Sequence, residues 1–170
     1  MADGVTAMGC GCDCAPATPA RRRILVEMFY VDIETCTRCR GTGDSLDQAL
    51  AAAGPALEAL EVEVEVTRTL VDSPEQAEAV RLETSPTIRV DGRDIQPDPE
   101  ESQCDSCGDL MTEGAVDCRV WTWRGSRHTE PPAGLIVEAL LKAVLSPPAE
   151  APRPYTLPDN LRRFFANRRR

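Results

Sequence analysis

Ile24-Leu25-Val26-Glu27-Met28-Phe29-Tyr30-Val31-Asp32, followed two residues later by Thr35-Cys36-Thr37-Arg38-Cys39, is the stretch on which the fold turns. The β-branched and aromatic run from Ile24 to Val31 has the length and near-continuous apolarity of a buried strand. It delivers the chain directly to a Cys-x-x-Cys pair.

Downstream, Ser45 and Gln48 form a Ser-x-x-Gln capping box, and Leu46, Ala49, Leu50, Ala53, Leu57 and Leu60 recur at helical spacing. The pattern predicts a helix over about 45–60, with Gly41 and Gly43 holding its start away from the dithiol. Val62, Val64 and Val66 then alternate with Glu61, Glu63 and Glu65, the period of a strand with one wet face. Ser73 as N-cap and Pro74 behind it open a short helix ending near Leu82. Ser85-Pro86-Thr87-Ile88-Arg89-Val90 reads as a strand with its proline at the edge, and Asp91-Gly92 as a hairpin turn. Residues 96–117 are rich in Pro, Gly and acid, contain Cys104 and Cys107, and read as a long irregular loop. Cys118 to Trp123 alternates as a strand with Trp121 and Trp123 on one face. Arg124-Gly125-Ser126 turns it into a second short strand near Thr129, and a core helix follows over about 132–145.

This order predicts an α/β domain over residues 21–145. It is preceded by an arm (1–20) bearing Cys10, Cys12 and Cys14, and followed by a proline-rich linker (146–158) and a basic amphipathic tail (159–170). In the tail Leu161, Phe164 and Phe165 form an apolar stripe, expected to pack on the domain or on a second copy of the chain. The chain has 170 residues, room for one core but not two. Its net charge is -9, yet residues 159–170 carry five Arg against one Asp, so the body is more acidic than the total suggests. Nucleic acid is therefore not expected as a partner, because phosphate binding needs a positive surface. The first twenty residues lack a basic segment followed by an apolar one, and the core helix carries Glu138 and Lys142. Neither a signal peptide nor a membrane span is expected, and eight cysteines in such a chain imply a reducing, cytoplasmic setting.

A Cys-x-x-Cys after the first buried strand, with a proline opening the strand of the hairpin, resembles the thioredoxin superfamily. The resemblance implies a thioredoxin-like three-layer sandwich with a cysteine-containing loop insertion and a C-terminal helical tail. It also implies a cis peptide before Pro86 and catalytic roles for Cys36, Cys39 and Pro86 in thiol–disulfide exchange. Tyr30-Val31-Asp32, Thr35 to Cys39, Ser85-Pro86-Thr87 and Asp117 to Trp121 together resemble more closely a family of small archaeal and bacterial proteins, a thioredoxin-like domain of unknown function.

Two chemistries compete for the cysteines. For exchange or reduction of a thiol or disulfide substrate, protein or small molecule, Cys36 attacks and Cys39 resolves, with Arg38 and Arg40 near in sequence to favour the thiolate; no cofactor is needed. For metal binding, Cys36-Thr37-Arg38-Cys39-Arg40-Gly41-Thr42-Gly43 resembles a zinc knuckle. Cys104 and Cys107 then supply the second half of a site for zinc, an iron–sulfur cluster or a soft ion. The 64 residues between Cys39 and Cys104 are long for such a pair. Cys10, Cys12 and Cys14 suit a soft ion that could be handed to Cys36 and Cys39. Cys118 reads as a small buried hydrophobe, and His128, the one histidine, as a turn or sheet-edge residue.

Overall fold

The computed structural model describes residues 21–145 and 154–168. β1 (Arg22–Tyr30) is one of two inner strands of a four-stranded sheet of order β2-β1-β3-β4, with β2 (Val62–Leu70), β3 (Thr87–Val90) and β4 (Arg93–Asp94). β1 runs parallel to β2 and antiparallel to β3. The parallel pair needs a crossover, which α1 (Thr37–Ala59) supplies. The turn between β3 and β4 takes positive φ at Asp91 (49°) and Gly92 (74°), the pair of conformations that a tight type I′ hairpin requires.

Alternation along β1 divides the core. Ile24, Val26 and Met28 pack with Leu46, Ala49, Ala53 and Leu57 of α1 and with Ile136 and Leu140 of α4 (Ala133–Leu145). Phe29 and Val31 join a second cluster with Ala77 of the short α2 (Pro74–Ala79), Leu82 and five cysteines. The described architecture is thus mixed α/β. Among the described residues no helix is long and apolar enough to cross a membrane.

Two expectations are corrected. α1 begins at Thr37 rather than near Ser45, and Cys36 is its N-cap. The glycines sit inside the helix: a Cβ on Gly41 would meet the Glu130 carboxylate, whereas one on Gly43 would make ordinary contact with the Met28 side chain. The segment 36–43 is therefore helical and not a zinc-knuckle turn. The stretch 96–117 is also not irregular throughout, because it contains β5 (Glu100–Gln103) and α3 (Asp105–Gly108).

β5 pairs with β6 (Asp117–Trp123), which pairs with β7 (Ser126–His128), making a second antiparallel sheet. His128 sits opposite Trp121 on the outer strand. Arg119 fastens this sheet to the first. Its N–H donates to the Ser85 carbonyl at 2.9 Å, and its fully buried guanidinium donates to Asp94, Thr87 and the Gln96 carbonyl. The same guanidinium lies 4.2 Å from the centre of the Trp121 ring. Gln96 adds an amide clamp, donating to the Val120 carbonyl and accepting from the Thr122 N–H.

The Ser85-Pro86 peptide is cis, as the resemblance implied. α5 (Asp159–Asn167) packs on the same chain: Leu157, Leu161 and Phe164 are buried in the cysteine-containing cluster. Pro158 occupies its N-cap.

Candidate metal centre

Three elements converge at the C-terminal end of β1. The chain leaves β1 through Val31 and Asp32, and Asp32 Oδ1 accepts the N–H groups of Thr35 (2.7 Å) and Cys36 (3.1 Å), turning the backbone into α1. Cys36 is thereby set at the helix N-cap, where its Sγ accepts the Cys39 N–H at 3.4 Å. Cys104 caps α3, one turn long, with Cys107 inside it. Cys118 sits in β6, opposite Ser102 of β5. Because β5 and β6 fold back as a hairpin, residues distant in sequence arrive at one place.

The Sγ atoms of Cys36, Cys104, Cys107 and Cys118 all lie within 4.8 Å of one another, and all four residues are buried. The sulfurs of Cys107 and Cys118 are 3.3 Å apart. A tetrahedral ion bonded to thiolates at about 2.3 Å sets its sulfurs about 3.8 Å apart. The cluster is therefore already at the scale of a single ion. Among the described residues it is the one group of three or more His, Cys, Asp or Glu side chains placed to share a metal.

Cys39 is not one of the four. Its side chain is fully buried and lies 3.8 Å from Ser85 Oγ, while Ser85 Oγ also accepts the Val31 N–H. The sequence reading grouped Cys39 with the ligands and set Cys118 aside as a hydrophobe. The structure exchanges them, because β6 presents Cys118 to the site while the first turn of α1 carries Cys39 toward Ser85. Pro86, next in the chain to Ser85, is buried. Cys10, Cys12 and Cys14, assigned to a soft ion from their spacing, lie outside the described residues.

The surroundings suit negative sulfur. Ser106 Oγ is 3.4 Å from Cys104 Sγ, and the same hydroxyl accepts the Thr37 N–H, joining α3 to α1. Arg38 reaches across to the hairpin, donating to Ser102 Oγ (3.0 Å) and to the carbonyls of Cys118 (3.1 Å) and Gln103 (2.6 Å). Its charge so locks the loop of Cys104 to the helix of Cys36; the sequence expectation had it acting on the thiol directly. On the far side Asn160 of α5 donates to the Asp117 carbonyl and accepts the Asp117 N–H, next to Cys118, and Arg168 lies 3.5 Å from Asp32.

Crowding four thiols decides where charge falls. Cys36 is held far below the ordinary thiol value, first by the Cys104 thiol and then by those of Cys107, Cys118 and Cys39. Cys104 is lowered to about 6, chiefly by Cys107 and then Cys118. Cys107 and Cys118 are both raised, each first by Cys104, because they serve as the donors and a further charge beside an existing one is unfavourable. Cys39 is raised by its contact with Cys36 and then by burial.

A family model described as "Domain of unknown function (DUF2703)" matches residues 23–140, more than half of the chain. The chain belongs to the DUF2703 family. The match holds β1 through most of α4, and with them Cys36, Cys39, Cys104, Cys107 and Cys118, so the whole centre lies within the DUF2703 domain. The arm with its three cysteines and the α5 tail fall outside the match. No curated protein and no solved structure matches the chain.

Proposed function

We propose that this DUF2703 protein is a metal-binding protein of the reducing cytoplasm, built on a thioredoxin-like scaffold, whose Cys36, Cys104, Cys107 and Cys118 thiolates hold one zinc-class ion. The observation that carries the reading is the convergence of four buried sulfurs within 4.8 Å. An all-thiolate set suits zinc and softer ions, whereas hard ions take oxygen ligands. An iron–sulfur cluster has to seat several metal atoms among its ligand sulfurs, and the present spacing matches one ion better. Four protein ligands with no exposed side leave no position for water or substrate, the arrangement of a structural centre and not of a hydrolytic one. The ion would tie the β5–β7 sheet to the main sheet.

The scaffold reading rests on strand order β2-β1-β3-β4, the parallel β1–β2 crossover through α1, and a Cys-x-x-Cys at the start of that helix. Thiol–disulfide exchange with an outside substrate fits the geometry less well. The attacking sulfur of such an enzyme has to meet a disulfide carried on a substrate far bulkier than water or peroxide, and Cys36 is fully buried beneath the hairpin.

Elemental analysis of the full chain, purified without added metal, tests the proposal. One zinc per chain is expected, retained when Cys10, Cys12 and Cys14 are replaced by Ser and lost in Cys118→Ser. Cobalt substitution should give the visible bands of a tetrahedral thiolate site. Metal-free protein that takes up no zinc or cobalt, or an unchanged zinc content in Cys118→Ser, overturns it.

A further inference from the structure

Cys36 has two neighbours of different kinds. Toward the hairpin it faces the sulfurs of Cys104, Cys107 and Cys118. Along its own helix it faces Cys39, one turn on, whose N–H already bonds to its sulfur. Across one helical turn Cα atoms stand about 5 Å apart, inside the roughly 4.4–6.8 Å that a disulfide spans. Cys39 is buried and free, and the ligand set does not use it.

We infer that Cys36 belongs to two mutually exclusive arrangements, as a metal ligand when reduced and as the partner of Cys39 in a disulfide when oxidised, so that peroxide expels the ion. The inference rests on the metal reading above. It singles out Cys39 for a chemical reason. A disulfide between any two of the four ligands removes two sulfurs from the ion at once. A disulfide from Cys36 to Cys39 removes one, and its second sulfur comes from a thiol that the ion does not hold.

The chemistry balances with hydrogen peroxide as oxidant. Cys36 Sγ, as thiolate, attacks one peroxide oxygen; an S–O bond forms, the O–O bond breaks and hydroxide leaves. That hydroxide takes the Cys39 thiol proton and becomes water. Cys39 Sγ then attacks the Cys36 sulfur, an S–S bond forms, the S–O bond breaks and a second hydroxide leaves. One thiolate, one thiol and one peroxide thus give one disulfide, one water and one hydroxide. The two sulfurs together lose two electrons, which the peroxide oxygens gain. The three remaining sulfurs no longer close a tetrahedral site, and the ion departs.

The experiment uses the full chain with Cys10, Cys12 and Cys14 replaced by Ser, loaded with one zinc per chain and exposed to hydrogen peroxide beside a chromogenic zinc indicator. Disulfides are mapped by mass spectrometry at half-release. The expected result is release of one zinc together with a Cys36–Cys39 disulfide. Adding Cys39→Ser or Cys39→Ala should slow release at least tenfold, with the zinc content of the reduced protein unchanged. Release at the parent rate in both Cys39 variants overturns the inference, and so does a parent disulfide map at half-release that lacks Cys36–Cys39. If neither variant folds, that parent map alone decides. A parent chain that never loads zinc defeats the metal reading itself, a different outcome from a chain that loads zinc but releases it without Cys39.

Discussion

Cys107 and Cys118 keep their protons longest in the metal-free cluster, both being raised, while Cys104 is lowered to about 6. Binding an ion requires all four sulfurs as thiolates, so near neutral pH uptake displaces the two protons of Cys107 and Cys118. The sign follows: affinity strengthens as pH rises and weakens as it falls. Two protons give about a 100-fold change in apparent affinity per pH unit. The slope should steepen below about 6, where Cys104 adds a third. Chelator competition across pH 5.5–8 ought to show both slopes; a pH-independent affinity would contradict the shared-proton cluster. Arg119 allows a second test at this scale. Its guanidinium is fully buried and bonds Asp94 at 2.6 Å, so Arg119→Met leaves that carboxylate without its main partner. The expected loss is about 3–5 kcal/mol, read as a lower denaturant midpoint at unchanged slope.

At the scale of elements, α5 is a side wall of the cysteine-containing core. Phe164 is fully buried there, and Phe164→Ala should cost about 3–5 kcal/mol in chemical denaturation. Tyr155, leading into α5, donates its hydroxyl to the carbonyls of Leu82 (2.6 Å) and Ala77 (3.2 Å), and burial raises its ionisation to about 12. A group whose folded value lies above its unfolded one stabilises fully at lower pH and loses that contribution as pH climbs from about 10 through 12. Loosening of the tail in that window should be absent in Tyr155→Phe, as followed by hydrogen exchange of α5. Most elements were legible in the sequence because each rests on a local period: the buried run of β1, the valine alternation of β2, the paired turn residues at Asp91-Gly92. The start of α1 was not, since Gly41 and Gly43 read as helix breakers. At Gly41 a Cβ would meet the Glu130 carboxylate, while at Gly43 a Cβ would fit in ordinary contact with Met28. Two glycines weaken a helix by about 0.5–1 kcal/mol each, which 23 residues packed on two cores can tolerate. Cys118 was missed for a related reason. A buried thiol and a ligand thiol look alike in one strand, and the β5–β6 pairing that sends Cys118 to Cys104 and Cys107 is a tertiary fact.

For the whole molecule, the cysteine cluster lies between two sheets that also meet through Arg119, Gln96, Arg38 and the buried Trp121. Removing the ion with a strong chelator should therefore raise amide exchange in β5, α3 and the start of β6 well before it does so in β1 and β2, whose ladder carries nine paired positions. Equal deprotection of both sheets would mean that the fold depends on the ion throughout. The ligands also impose an order in time. Cys36 and Cys118 are 82 residues apart, and at about 5–20 residues per second a ribosome takes roughly 4–16 s to make the last ligand after the first. Until Cys104 is made, β1 and α1 can form with Cys39 the thiol beside Cys36 among the described residues. On the proposed metal reading, an ion captured at the end would mark a chain whose hairpin has closed, and the metal content of newly made protein would be a record of completed synthesis.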